Sequence, residues 1–188
     1  MENSKVYKSI INMIYIALFA ALTAVGAFIR IPLPVPITLQ VFFCILAAVL
    51  LGARLAAASQ IIYILIGLSG IPVFTMGGSP EYVFQPTFGY LLGLILCAFV
   101  IGKLNEHIKE PKIGKLFLVN VIGVLTIYLV GVPYLYLIKN LYLNSQTSVW
   151  KVLYSGFLTT IPGDILKCYL AALVGARLIP VLKRNRLI

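Results

Sequence analysis

Asp164 and Lys167 are the two residues whose types and spacing best suit the binding of a polar ligand. The chain has five acidic residues, and Asp164 is the one that lies well inside a long apolar run. Lys167 follows three positions later, so a helix brings both side chains onto one face. A charge inside a membrane segment costs roughly 2.5–3.5 kcal/mol and usually faces a protein interior or a water-filled cavity. The alternative is that the two charges neutralise each other and only fix helix packing.

Pro162 and Gly163, directly before Asp164, favour the binding interpretation. Proline removes a backbone donor and loosens a helix, and irregular backbone at membrane depth is tolerated where it is buried or lines a cavity. Another unusual segment, residues 69–85, is long for a structureless connection, and such loops are often lids or binding loops. Its adjacent glycines could turn backbone N–H groups towards an anion, but a lone glycine pair is weak evidence and a simple turn is the favoured explanation. The further candidates for substrate binding are Thr38, Gln40, Phe74, Gly77, Gly78, Ser79, Tyr82 and Tyr90.

Several classes of function are disfavoured by what the sequence lacks. It has no GxxxxGK[ST] motif for ATP hydrolysis, no HExxH or GxSxG motif, and no second carboxylate to work with Asp164 in acid–base catalysis. The three cysteines lie apart in apolar runs and show no metal-binding spacing. The candidates instead suit a small, partly apolar molecule with N–H groups. We therefore favour a transporter subunit or binding protein over an intramembrane enzyme, and expect no cofactor and no metal.

The composition is that of a multi-pass membrane protein with a single membrane domain, residues 1–188. Hydrophobic residues make up 61% of the chain and charged residues 11%, against roughly 25% charged residues in soluble domains. The apolar runs predict an all-α bundle of six transmembrane helices, approximately at residues 9–29, 37–51, 55–68, 86–102, 116–137 and 152–180. The second and third runs are only about 20–22 Å long as helices, against a hydrocarbon core of about 30 Å. They are interpreted as two short spans or a re-entrant pair.

The basic residues predict the orientation of the bundle. The net charge is +10, but the lysines and arginines are scattered over loops and ends, which argues against a nucleic-acid partner. With both termini in the cytoplasm, eleven basic residues face inwards and three face outwards, as the positive-inside rule requires. The proline-rich loop at residues 30–36 and the loop at residues 69–85 then lie at the outer face, where Thr38, Gln40 and Asp164 could share one outward-facing pocket.

Alanines recur at spacings of three and four along the first helix. Ala17, Ala20, Ala21, Ala24 and Ala27 predict a smooth face, of the kind that lets another helix approach closely in lipid. Packing within this protein and docking of a partner membrane protein both fit the spacing.

Six stretches of the sequence resemble the BioY family, the biotin-specific S components of energy-coupling factor (ECF) transporters. They are residues 33–40 (LPVPITLQ), 50–54 (LLGAR), 70–74 (GIPVF), 77–78 (GG), 86–93 (PTFGYLLG) and 161–167 (IPGDILK). Two departures concern loop geometry: Ala53 stands where family members often have proline, and Ser79-Pro80-Glu81 follows a glycine stretch that is short for the family.

The resemblance implies a six-helix S component in the cell membrane of a prokaryote that captures biotin from outside. Its implied partners are a transmembrane coupling protein (the T component) and two cytoplasmic ATPases, and Ala17, Ala21 and Ala24 match the alanine motif that contacts the coupling protein.

For the site residues, the resemblance leads to a hypothesis for each position. Asp164 accepts hydrogen bonds from the ureido N–H groups, and Lys167 donates to the polar end of biotin or holds Asp164 ionised. The backbone of Gly77, Gly78 and Ser79 receives the valerate carboxylate. Phe74, Tyr82 and Tyr90 line apolar walls, with Gln40 and Thr38 as secondary contacts. The alternatives are an S component for another small vitamin, an intramembrane enzyme that uses Asp164, and a solute channel.

Overall fold

The computed structural model describes residues 2–184, with side chains from Val6 onwards. Two of the basic residues used to predict the orientation, Lys5 and Arg186, therefore contribute no described side chain. The order of elements is α1 (Glu2–Phe28), β1 (Arg30–Ile31), β2 (Ile37–Thr38), α2 (Gln40–Leu51), α3 (Ala53–Leu68), a 3₁₀ turn (Pro80–Phe84), α4 (Phe88–Asn105), α5 (Ile113–Leu137), a π turn (Ile138–Tyr142), α6 (Val149–Leu153), a second π turn (Tyr154–Leu158) and α7 (Ile161–Arg184).

The predicted all-α membrane bundle and its count of six helices are confirmed when α6, the second π turn and α7 are taken as one interrupted helix. In residues 2–184, four helical segments are long and apolar enough to cross a membrane: Val6–Phe28, Phe88–Asn105, Ile113–Tyr142 and Val149–Arg184. The apolar helices Gln40–Leu51 and Ala53–Leu68 are shorter. The orientation of the bundle stays a prediction.

The sixth helix is interrupted just before Asp164. One helix over residues 152–180, loosened by Pro162 and Gly163, was predicted, and in the structure a π turn at Tyr154–Leu158 and a two-residue turn separate α6 from α7. Pro162 lacks the N–H that would continue the α-helical hydrogen bonds across this point. Asp164 consequently lies in the first turn of α7.

Helices α2 and α3 are separated by a single residue, Gly52. Its φ of +79° is a conformation that favours glycine. The turn packs tightly on α4, because a Cβ on Gly102 would lie 2.3 Å from the backbone nitrogen of Ala53. The two helices have 12 and 16 residues, so they are about 18 and 24 Å long.

Close backbone contact also joins α4 to α5, the pair of helices with the most extensive contact. A Cβ on Gly93 would lie 2.7 Å from the Cα atom of Ile127, so only glycine allows this approach. Such small-residue contacts are typical of helices packed in membranes.

At one end of the bundle, a short hairpin and a loop converge. Strands β1 and β2 pair antiparallel, with Arg30 opposite Thr38, and enclose the proline-rich segment. The Arg30 guanidinium donates a hydrogen bond to the backbone carbonyl of Thr75 in the loop after α3. The hairpin thereby places Thr38 and Gln40 beside this loop.

Candidate ligand-binding site

One cavity of about 590 Å³, including its open mouth, lies between the hairpin, the loop after α3 and helices α2, α4, α5 and α7. Its wall is mostly apolar and carries hydroxyl, amide and charged groups from different elements. Pockets for small organic molecules typically have this mixed character. The lining residues are Val35, Pro36, Ile37, Thr38, Gln40, Val41, Thr75, Tyr82, Thr87, Tyr90, Leu91, Leu94, Ile127, Tyr128, Thr160, Asp164 and Lys167.

Asp164 and Lys167 form a buried ion pair on the cavity wall. Their relative exposures are 5% and 4%, and Lys167 Nζ contacts Asp164 Oδ1 directly. The same ammonium donates a hydrogen bond to the Thr38 carbonyl at 2.9 Å. The helical spacing predicted this pair, and the structure adds its link to the hairpin.

Tyr128 from α5 completes the coordination of the Asp164 carboxylate. Its hydroxyl donates to Asp164 Oδ2 at 2.5 Å and lies 3.1 Å from the Thr160 hydroxyl. Hydrogen bonds to a carboxylate are short and roughly twice as strong as those between neutral groups. The carboxylate therefore has a fixed position, with a cation on one oxygen and a hydroxyl donor on the other.

Thr38 at the end of β2 and Gln40 at the start of α2 form a second polar cluster on the cavity wall. The Thr38 hydroxyl donates to Gln40 Oε1 at 2.8 Å, and Gln40 Nε2 donates to the Tyr63 hydroxyl at 2.7 Å. Both Thr38 and Gln40 are buried, with exposures of 7% and 5%. Together with the Lys167–Thr38 contact, these bonds connect the ion pair to the amide of Gln40.

Tyrosines supply the aromatic part of the wall. The Tyr90 hydroxyl donates to the Gly156 carbonyl at 2.9 Å, and its ring meets that of Tyr128 edge-on, with centroids 6.3 Å apart. The Tyr82 hydroxyl lies 3.1 Å from the Thr75 hydroxyl. These rings can cover an apolar ligand surface while their hydroxyl groups remain satisfied by the protein.

The structure brings six of the ten predicted binding residues to this cavity: Thr38, Gln40, Tyr82, Tyr90, Asp164 and Lys167. The other four, Phe74, Gly77, Gly78 and Ser79, do not line it. The Gly77 N–H already donates to the Phe74 carbonyl at 3.3 Å, so it is not free for a carboxylate. Phe74 is 1% exposed and packs against Tyr63 and Tyr82 instead. These residues build the loop that supports the wall.

Sequence reasoning missed Tyr128 and Thr160. Tyr128 lies 36 positions before Asp164 in another helix, so no local spacing relates the two. The available signals were weak: a hydroxyl group within the apolar run of α5, and a threonine two residues before Pro162.

The predicted alanine face is divided between two environments. Ala20 and Ala27 are buried against the protein, whereas Ala17 and Ala21 are exposed and Ala24 is half-buried. Internal packing thus accounts for part of the pattern, and Ala17 and Ala21 remain accessible on the outside of α1.

Comparisons with known proteins agree on one family. The model of the BioY family matches residues 1–184. The "Probable biotin transporter BioY" of Lysinibacillus sphaericus is 48% identical over 182 residues, which cover 96% of this chain and 93% of that protein. The "Biotin transporter BioY" of Thermotoga maritima is 39% identical, with coverage of 89% and 95%.

A solved structure gives the same result for the fold. The crystal structure of the S-component for biotin from an ECF-type ABC transporter superposes with a TM-score of 0.76 at 29% identity, covering 95% of this chain and 93% of that one. With its membrane-spanning helices, the chain is a multi-pass protein of the cell membrane and belongs to the BioY family.

Proposed function

We propose that this protein is the biotin-binding subunit of a vitamin uptake transporter and captures biotin in the cavity described above. The observation that carries the proposal is the buried cluster of Asp164, Lys167 and Tyr128 on the wall of an otherwise largely apolar pocket. The names of its relatives as biotin transporters support the choice of ligand, and the family favours a transport subunit over an enzyme.

The chemistry of biotin matches the groups on the cavity wall. Its ureido ring offers two N–H donors and a carbonyl acceptor, its sulfur-containing ring is apolar, and its side chain ends in a carboxylate. The Asp164 carboxylate can accept from an N–H group, while Lys167 can donate to a carbonyl or carboxylate oxygen. Tyr82 and Tyr90 cover the apolar ring, and Thr38 and Gln40 add polar contacts. The loop at Gly77–Ser79, which lies off the cavity wall, keeps a supporting role.

The coupling partners form the second part of the proposal. A transmembrane T component and two cytoplasmic ATPases would supply the energy for inward delivery, with both termini of this chain in the cytoplasm. Ala17 and Ala21 are exposed on α1, and a smooth alanine surface suits close docking of a partner helix in lipid.

A larger side chain on the exposed alanine surface of α1 should block docking of the T component without affecting biotin binding. Ala21→Leu is expected to leave the Kd for biotin within about twofold, because the residue is remote from the lining of the cavity, and to abolish copurification with a T component. Ile122→Phe, on the exposed side of α5, is the control for added bulk and should retain the partner. Loss of the partner in both variants, or in neither, contradicts the docking surface.

Ligand competition tests the choice of biotin against other vitamins. Purified protein loaded with radiolabelled biotin is challenged with desthiobiotin, which retains the ureido ring and the carboxylate, and separately with thiamine or riboflavin. Displacement by desthiobiotin alone is the expected result. Displacement by thiamine or riboflavin at similar concentrations would point to a different vitamin and contradict the proposal.

A further inference from the structure

Tyr63 lies behind the cavity wall, where it connects Gln40 to the loop after α3. It is 1% exposed and is not among the residues that line the cavity. Its hydroxyl accepts a hydrogen bond from Gln40 Nε2 at 2.7 Å and donates one to the backbone carbonyl of Val73 at 3.1 Å. Tyr63 therefore contacts a residue of the candidate site from the side away from the cavity.

The Val73 carbonyl determines which way the Gln40 amide faces. A carbonyl oxygen can only accept, so the single hydrogen of the Tyr63 hydroxyl is committed to Val73. The Tyr63 oxygen can then act only as an acceptor towards Gln40, and the NH₂ group of the amide must face it. Gln40 Oε1 is consequently turned towards the Thr38 hydroxyl, which donates to it at 2.8 Å.

The ring of Tyr63 is held independently of its hydroxyl group. It meets Phe74 edge-on, with centroids 5.4 Å apart and an interplanar angle of 87°. Phe74 in turn fits against Gly67, where an added Cβ would come within 2.0 Å of the Phe74 ring. Removing only the hydroxyl group should therefore leave the aromatic packing in place while releasing the Gln40 amide.

We propose that Tyr63 is a positioning residue for ligand binding, which fixes the donor and acceptor pattern that Gln40 presents to the cavity. This inference rests on the proposed function, because it assumes that biotin is the ligand that contacts Gln40. Without the Tyr63 hydroxyl, the NH₂ group of Gln40 has no acceptor and the Val73 carbonyl has no donor. The amide can then rotate, and a ligand must reorder it on binding.

The test is a double-mutant cycle on biotin affinity between Tyr63→Phe and Gln40→Ala, measured by calorimetry in detergent. Tyr63→Phe alone is expected to weaken binding about tenfold, the effect of one buried hydrogen bond. In the Gln40→Ala background, the same change should alter the Kd by less than about twofold, because the amide it positions is gone. Tyr134→Phe is the control, since the Tyr134 hydroxyl also donates to a loop carbonyl, that of Val83, but is not hydrogen-bonded to Gln40.

The outcomes separate this inference from the proposed function. If the wild type does not bind biotin, both are overturned. If the wild type binds and Tyr63→Phe binds equally well, only the positioning role is overturned. If Tyr63→Phe weakens biotin binding equally in the presence and in the absence of the Gln40 side chain, the change loosens the loop in general, and the positioning role is overturned as well.

If Tyr63→Phe folds poorly, two unnatural amino acids at position 63 provide the same test. At position 63, 4-aminophenylalanine can both donate and accept, whereas 4-methylphenylalanine fills similar space without hydrogen bonding. Rescue of affinity by the amino group but not by the methyl group supports the inference, and equal affinities refute it.

Discussion

Removing either member of the Asp164–Lys167 pair should destabilise the protein as well as impair binding. Lys167→Met leaves the Asp164 carboxylate, in a site only 5% exposed, without its cation. Asp164→Asn leaves the Lys167 ammonium, which is 4% exposed, without a negative charge beside it, so that neutral acceptors such as the Thr38 carbonyl are its partners. A buried charge that loses its partner typically costs 3–5 kcal/mol, which corresponds to a decrease of about 6–20 °C in Tm for a chain of this size.

Changing both residues together separates the stability of the pair from its role in binding. In the double variant Asp164→Asn, Lys167→Met, no unpaired charge remains, and the asparagine oxygen can still accept from the Tyr128 hydroxyl. Replacing a buried ion pair by uncharged groups is often neutral for stability. The double variant should therefore recover most of the lost Tm, yet bind biotin as poorly as the single variants.

The buried cysteines provide an assay for unfolding. Cys44, Cys97 and Cys168 are free thiols with exposures of 0%, 0% and 1%, so a thiol-reactive dye should label them only as the bundle opens. Single variants that melt at the wild-type temperature would refute the reasoning. A double variant no more stable than the single variants would refute it as well.

Two other predictions concern single contacts. Tyr128→Phe removes the hydroxyl that donates to Asp164, and since hydrogen bonds to charged groups contribute about 1.5–3 kcal/mol, biotin affinity measured by calorimetry should decrease by about 10- to 100-fold. Tyr136→Phe, at a partly exposed position on the same helix, is its control, and equal effects of the two changes would contradict the role of Tyr128. Gly93→Ala places a Cβ 2.7 Å from the backbone of α5 and should lower the free energy of unfolding by about 1–3 kcal/mol, measured by thermal unfolding. Gly114→Ala, with open space around its Cβ, is the control and should be neutral or slightly stabilising. Similar melting temperatures of the two variants would show that α4 and α5 do not pack as described.

The features of the fold that depend on composition and local pattern could be predicted from the sequence. Apolar runs bounded by basic residues predicted the helices, and the i, i+3 spacing predicted the contact between Asp164 and Lys167. Pro162 and Gly163 predicted a disturbance in the last helix, although the π turn before it and the exact start of α7 depend on how α5 and the neighbouring turn pack. Such details follow from tertiary contacts and leave no regular spacing in the sequence.

The parts of the site that depend on long-range contact were missed or misplaced. Tyr128 lies in α5 and contacts Asp164 in α7. Its hydroxyl group alone did not distinguish it from other tyrosines in apolar runs. For Gly77 the sequence favoured a simple turn, and the family resemblance added the hypothesis that its backbone receives a carboxylate. Its N–H instead forms a bridge to Phe74, a partner that depends on the three-dimensional course of the loop.

Binding of biotin through Asp164 is measured by titrating biotin into the detergent-purified protein, prepared from a biotin-starved host, and into Asp164→Ala under the same conditions. We expect tight binding of one biotin per protein, and loss of that binding in the variant. A folded wild-type protein that binds no biotin, or an Asp164→Ala variant that binds as tightly as the wild type, would contradict the proposed function or the role of Asp164.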